Sequence, residues 1–320
     1  MKKKVLLVGP ILTQSGYGVH ARTVYRALKK RDDLFDIYVN PISWGQTSWV
    51  SEQSIEREEL DNIIRKTYQH ISQNLPFDIT IMVTIPTEWK QYSAAPINIG
   101  VCAGVEADRV SPHWLEAANL HVDKIIVTSE FSKDSFTNAV WDVKNNLGQD
   151  FKLFLNKPIE SVNYPVFSEY ANPTDCIHED LKLVHDFNFL CVAQWGPRKN
   201  IHNTIKYFLD EFKDDDVGLV LKLSIKDGST IDYYETKRAL NKILKNYPDR
   251  SCSVHLLHGY LSKEEIASLY THPKIKAMIN FGHGEGYGLP LFEAAAVGLP
   301  VITHDWGGQK DFLYAPKKDK

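Results

Sequence analysis

The sequence predicts an α/β fold made of two doubly wound, Rossmann-like parallel-sheet domains facing a cleft. Three observations carry that reading. Short Val/Ile/Leu-rich runs alternate with stretches of helical period along the whole chain, the pattern of parallel strands covered by helices on both faces. The 320 residues amount to two domains at roughly 150 residues each. A polar stretch, SEYANPTDCIHEDLKLVHD at 168–186, lacks a clear strand pattern, and the alternation restarts beyond it. The expected division is therefore an N-terminal domain over 1–167, a linker over 168–186 and a C-terminal domain over 187–320.

In chain order, strands are expected at 3–9, 35–41, 77–83, 98–102, 123–128 and 160–166, then at 188–193, 217–224, 252–258, 276–281 and 300–304. Helical patterns fall between them at 18–31, 54–74, 130–140, 200–213, 232–246, 262–271 and 290–297. The start, MKKKVLLVGPIL, is basic then apolar like a signal peptide. Its apolar part is short, however, and runs into TQSGYG without a small-residue cleavage site, so it reads as a first buried strand. After Val301–His304 only a charged tail follows, and no closing helix is expected.

With 37 basic and 40 acidic side chains the formal charge is −3, which excludes binding of nucleic acid by bulk positive charge. Cys102, Cys176, Cys191 and Cys252 lie far apart with no CxxC pair, so neither a zinc site nor a disulfide framework is expected. A reduced cytoplasm fits that usage. No apolar run approaches the ~18 residues that cross a bilayer.

In open α/β sheets, ligands bind beyond the carboxyl ends of the strands, so the chemistry is expected in the loops there. The segment 282–301, GHGEGYGLPLFEAAAVGLPV, is the most informative. Pro290 suits a helix start, Gly298 and Pro300 suit its end, and Gly284, Gly286 and Gly288 allow close backbone approach to a ligand. Amides around Tyr287, Gly288 and Leu289, backed by the helix dipole, would make an anion site for a phosphate or diphosphate. Glu285 and Glu293 bracket this turn. Each alone reads as a solvated or dipole-favoured carboxylate; beside an anion site, both become acceptors for sugar hydroxyls.

Arg198 and Lys199 in VAQWGPRKN follow the strand 188–193 and could contact phosphate, or form a solvated pair near a turn. Gly16, Gly18 and Ala21 match the dinucleotide-binding glycine pattern. That pattern begins six residues past its strand, and Asn40 and Pro41 stand where an acid is expected, so a nicotinamide site is disfavoured. Glu106, Asp108 and Arg109 cluster after the strand 98–102, either as a salt-bridged loop or as a carboxylate at the cleft. His255 and His258 share a strand pattern at a spacing that turns their rings to opposite faces, so no metal is expected. Trp195 and Trp306 fit packing or stacking. Ser129 lacks a nucleophile elbow.

Glu285 and Glu293 within GEGYGLPLFEAAAVGLPVI resemble the E-x7-E motif of the retaining GT-B glycosyltransferases of family four. PRKN at 197–200, HGYLSKEEIASLY at 258–270 and HDWGGQKDF at 304–312 resemble that family's other landmarks in order and spacing. VEADRVSPHW and DKIIVTSEFSKDSF resemble a subset in which a Glu-x-Asp-Arg loop replaces a histidine-bearing one. The resemblance is strong over about 188–312 and diffuse over 1–140.

The resemblance implies a nucleotide-diphosphate sugar donor, UDP- or GDP-linked, on the second domain. The acceptor, on the first domain, could be a glycan, lipid, protein or modified nucleic acid. It further implies that Glu293 binds ribose hydroxyls, Glu285 binds the transferred sugar, and Tyr287, Gly288, Leu289, Arg198 and Lys199 surround the diphosphate. Gly16 and Gly18 would close on the phosphates, and His258 with Gly259, Tyr260 and Leu261 would border the base. Transfer would retain anomeric configuration with no metal or cofactor. In two departures from the family, Gln194 stands where arginine is usual, so Arg198 would take over its contact, and Glu106 stands in for the absent histidine. The chain also ends soon after Gly307-Gly308, where relatives continue into a final helix. The competing readings are a nicotinamide-dependent oxidoreductase or epimerase, and a non-catalytic sugar-nucleotide-binding protein. A glycoside hydrolase fits less well, because both carboxylates sit on one short segment.

Overall fold

The computed structural model describes residues 2–51, 53–144, 148–174 and 181–314. The chain divides into two compact units, Met1–Tyr164 and Pro165–Lys320.

The first unit contains β1 (Lys3–Gly9), α1 (Gly16–Lys29), β2 (Phe35–Pro41), α2 (Ile55–Ser72), β3 (Ile79–Val83), α3 (Trp89–Tyr92), β4 (Ile97–Cys102), α4 (Pro112–His121), β5 (Lys124–Val127), α5 (Glu130–Thr137), an antiparallel hairpin of β6 (Trp141–Lys144) and β7 (Asp150–Leu153), and β8 (Ile159–Ser161). Its main sheet runs β2-β1-β3-β4-β5-β8, all parallel. β1 shows why a continuous apolar run makes such a strand. Successive side chains point to opposite faces, so Val5 and Leu7 join one buried cluster while Leu6 and Val8 join the other. Each fully buried aliphatic side chain contributes about 1.5–3 kcal/mol. The leader-like start is therefore a buried central strand of this sheet.

The second unit contains α6 (Ser168–Ala171), β9 (Asn188–Gln194), α7 (Ile201–Phe212), β10 (Gly218–Ser224), α8 (Thr230–Leu244), β11 (Ser253–Leu257), α9 (Lys263–Tyr270), β12 (Ile275–Asn280), α10 (Leu289–Ala296), β13 (Val301–Thr303) and α11 (Lys310–Leu313). Its parallel sheet runs β11-β10-β9-β12-β13. The same alternation holds: Val220 faces one cluster and Leu219, Leu221 and Leu223 the other. α7 buries Ile201, Thr204, Ile205, Phe208 and Leu209, one helical stripe. α9 starts on a capping box in which Ser262 and Glu265 satisfy each other's backbone N–H groups.

Most expected strands and helices form, with boundaries moved by up to three residues and β8 shorter than 160–166. Four expectations need correction. A helix, α4, stands over 112–121, where none was expected. The hairpin β6–β7 was also unforeseen. The stretch 168–186 is not a plain linker at its start, because α6 packs Tyr170 into the second core. The last described element is a one-turn helix, α11, where none was expected. Among the described residues Cys102, Cys191 and Cys252 are free and buried; Cys176 and the tail 315–320 lie outside them.

Both sheets reverse winding direction beside their first strand, between β1 and β3 in one and between β9 and β12 in the other. A doubly wound sheet opens a crevice at such a point, beyond the carboxyl ends of the two strands. In the second unit those ends are Gln194 and Asn280, so the loops 195–200 and 281–288 emerge side by side.

Candidate active site

These two loops are tied together through their backbones and through one carboxylate. The Arg198 carbonyl accepts from the His283 amide at 2.8 Å, and Arg198 Nη1 donates to the Gly284 carbonyl at 2.8 Å. Glu285 is 4% exposed, not the solvated loop residue that its glycine-rich surroundings suggest. Lys199 Nζ donates to its Oε1 at 2.5 Å, Asn280 Nδ2 to the same oxygen at 3.2 Å, and Arg198 Nη1 lies 3.4 Å from Oε2. Burial pushes the Glu285 carboxyl up. Lys199 above all, then Arg198 and the Asn280 amide, overcome that and hold it below the usual carboxylate range. Asn280 itself is oriented by the Gly282 amide, which donates to its Oδ1 at 2.8 Å. Asn200 binds the Phe281 carbonyl at 3.0 Å. Neither asparagine was singled out from sequence. Their signal is position alone: a polar residue at the end of a buried strand and one at a helix start.

Downstream of Glu285 the chain turns into α10 at Gly288, the N-cap, with φ +87°. The helix starts at Leu289, so Pro290 is its second residue. No side chain caps it among the described residues, which leaves the helix end to a ligand or to water. Tyr287 is buried, its ring packed on Phe292 and Phe312 at 5.4 and 5.1 Å, so this residue can meet a ligand only through its backbone. The following landmark closes the back of the turn. Gly308 donates to the Glu285 carbonyl at 2.8 Å, and Gln309 Nε2 holds the His304 and Trp306 carbonyls.

Glu293 lies on the second turn of α10, in surroundings of a different kind. The Tyr270 hydroxyl donates to its Oε2 at 3.0 Å, and Tyr170, whose ring packs edge to face on Tyr270, acts on the same carboxylate. Burial raises the Glu293 carboxyl to about 7, against the lowering effect of the two hydroxyls.

The loop 258–261 is built from beneath. Asp232 accepts from the amides of Ile225 and Lys226 and pairs with His258 Nε2 at 2.8 Å. Lys222 Nζ donates to the Gly259 carbonyl at 2.5 Å, and burial lowers that lysine's pKa. Tyr260 stands exposed and Leu261 packs against the core. His255 bonds Ser253 instead. Among the described residues no group of His, Cys, Asp and Glu could hold a metal.

In the first unit, the glycine-rich turn is differently occupied than the dinucleotide pattern implies. α1 starts at Gly16, and the Gly18 amide donates to the N-cap Ser15 Oγ at 2.9 Å. A Cβ on Gly18 would lie 2.1 Å from the Thr13 carbonyl oxygen. Gly18 is therefore a packing glycine whose amide is already used, while Gly16 is exposed. Glu106 is exposed on the loop after β4, and α5 pins that loop. Ser132 Oγ accepts from the Val105 amide at 3.0 Å, and Ser135 Oγ donates to the Ala107 carbonyl at 2.8 Å. Arg109 stacks its guanidinium on Trp141 at 4.3 Å. Ser129 is the N-cap of α5, a structural role.

Residues 177–315 match the family model of the glycosyl transferases group 1. That match falls within the second unit, and the site just described lies inside the matched residues. A serotype-specific mannosyltransferase WbdA of Escherichia coli is 26% identical over 212 residues, 63% of this chain. The match takes in only 23% of that protein's length. Among solved structures, the α,α-trehalose 6-phosphate synthase of Burkholderia multivorans superposes with a TM-score of 0.65 at 9% identity, covering 98% of this chain and 86% of its own. The catalytic domain of starch synthase IV from Arabidopsis thaliana, bound to ADP and acarbose, gives 0.61 at 12%, covering 100% and 86%. The Anabaena protein Alr3699/HepE with UDP and glucose gives 0.56 at 12%, covering 97% and 82%. These structures share the fold, two Rossmann-like domains of the GT-B type. No helix among the described residues is long and apolar enough to cross a membrane.

Proposed function

We propose that this protein is a retaining glycosyltransferase that moves a sugar from a nucleotide-diphosphate donor, UDP- or GDP-linked, to an acceptor. The observation that carries the reading is Glu285, ionised and buried on Arg198 and Lys199 beside an uncapped helix start. An ionised carboxylate only accepts hydrogen bonds, so it suits the hydroxyls of the transferred sugar. The two cations, with the amides of Gly288 and Leu289, suit the diphosphate. Glu293 suits the ribose, and the loop Gly259–Leu261 the base.

Breaking the bond between anomeric carbon and diphosphate develops positive charge on the sugar and negative charge on the leaving group. Fixed charges placed beforehand stabilise both. The departing phosphate oxygen can take the acceptor's proton on the face it leaves, which retains configuration. This chain's residues then need only to position and to neutralise. Arg198 and Lys199 supply the neutralisation that a metal supplies elsewhere, and Glu106 is the first unit's carboxylate for the acceptor.

The test is a panel of UDP- and GDP-sugars followed for release of UDP or GDP, with the anomeric proton of the product read by NMR. Turnover with retention is expected. If the wild-type protein consumes no donor, even with water as acceptor, the catalytic reading fails. The nicotinamide reading is weakened by Gly18, whose amide is taken by Ser15. Separate thermal-shift titrations with UDP, GDP and NAD decide that point, since only NAD should stabilise an oxidoreductase.

A further inference from the structure

We propose that Tyr170, on the turn α6 that precedes the second sheet, is a positioning residue for Glu293. With Tyr270 it would hold the carboxylate in the orientation that receives the donor's ribose hydroxyls. This rests on the donor reading above and adds to it a residue outside every motif considered so far.

The geometry is that of a clamp. Both rings are buried in the second core and meet edge to face at 6.1 Å and 63°, so packing fixes where their hydroxyls lie. Tyr270 donates directly to Glu293, and Tyr170, packed on Tyr270 within the same buried cluster as Leu291 and Ala294 of α10, acts on the same carboxylate. No ion pair reaches that carboxylate among the described residues, in contrast to Glu285 with its two cations. Two neutral donors orient a carboxylate without cancelling its charge, and a carboxylate has about four lone-pair sites. Those left over can accept from the adjacent hydroxyls of a ribose.

The groups around Glu293 can be named by element. α6 brings Glu169 as well as Tyr170, and Glu169 raises the Glu293 carboxyl. α9 brings Tyr270, together with Glu264 near Tyr170 and Lys263, which lies 3.9 Å from Glu169. β12 carries Lys276, which bonds the Pro273 carbonyl, and α11 carries Asp311 and Lys310, the latter paired with Asp305. β13 carries no titratable side chain. Burial, the two tyrosine hydroxyls and Glu169 therefore set the titration of Glu293 near 7.

Removing a donating hydroxyl raises the carboxyl further. Donor binding that needs the ionised form is then lost at neutral pH and recovered in alkali, whereas lost packing would weaken binding equally at every pH. The experiment uses the full chain with Tyr170→Phe, Tyr270→Phe and Glu293→Gln. Carboxyl-labelled glutamate NMR follows the Glu293 titration, and UDP, GDP and ADP are titrated from pH 6 to 9. Expected for Tyr170→Phe are a midpoint displaced to higher pH, nucleotide affinity reduced about tenfold at pH 7 and restored near pH 9, and a native fold by circular dichroism. Glu293→Gln should show no pH dependence. A midpoint identical to wild type in Tyr170→Phe overturns the proposal. So does affinity lost equally at all pH. If wild type binds none of the three nucleotides while the NMR midpoint still moves, the donor reading fails and the tyrosine–carboxylate link stands.

Discussion

Glu285 and Glu293 are one side chain in two opposite surroundings. Glu285 faces two cations and an amide and stays ionised; Glu293 faces two phenols and titrates near 7. Opposite consequences for stability follow. The depressed Glu285 contributes stability that is complete above the ordinary carboxylate range and is lost as pH falls through its folded value. The raised Glu293 contributes fully below its ordinary 4.5 and loses that contribution as pH rises through about 7. Thermal denaturation of Glu293→Gln should therefore lack a decline that wild type shows between about pH 5 and 7; equal slopes contradict the assignment. Glu285→Gln releases Lys199 and Arg198 from their carboxylate. It should lower transfer about a hundredfold or more while UDP or GDP affinity is kept or rises. Glu285→Ala leaves the partly buried Lys199 without its carboxylate and should lower the melting temperature by several degrees. A fall in nucleotide affinity matching the loss of turnover in Glu285→Gln would show that the cations do not serve the diphosphate.

The turn into α10 depends on one backbone conformation. Gly288 holds φ +87° with Leu291 packed close beneath, so Gly288→Ala should cost about 1–2 kcal/mol and weaken nucleotide binding. Denaturant unfolding and calorimetric titration measure the two effects, and an alanine variant as stable as wild type contradicts the reading. Much of this architecture was legible in the sequence, because buried parallel strands are apolar on both faces and need no long-range information to recognise. The anion turn was legible for the same reason: its glycines, Pro290 and both acids are local. α4 was not, since PHWLEAANLH has little apolar contrast between its faces. The hairpin β6–β7 lies in a polar stretch whose pairing is set by Trp141, which packs on the first core and donates to the Val110 carbonyl. The environments of the two acids were also hidden. Asn280, Lys199 and Tyr170 reach them from strand ends and turns that only the folded sheet brings near.

Each unit has its own sheet and its own pair of buried clusters, one on each face. Ligand stabilisation should therefore be local to the second unit, by mass action about 2.7 kcal/mol at a hundredfold excess over Kd. Hydrogen exchange with saturating UDP or GDP should show added protection over 196–199, 258–261 and 284–293, with β11 and α8 little changed; protection confined to the first unit contradicts the placement of the donor. The most direct measurement is a crystal structure of the chain with UDP or GDP. The diphosphate is expected within hydrogen-bonding distance of the Gly288 and Leu289 amides and of Arg198 or Lys199, with the ribose on Glu293. A nucleotide bound elsewhere, with Glu285 and Glu293 making no contact to it, would contradict the account.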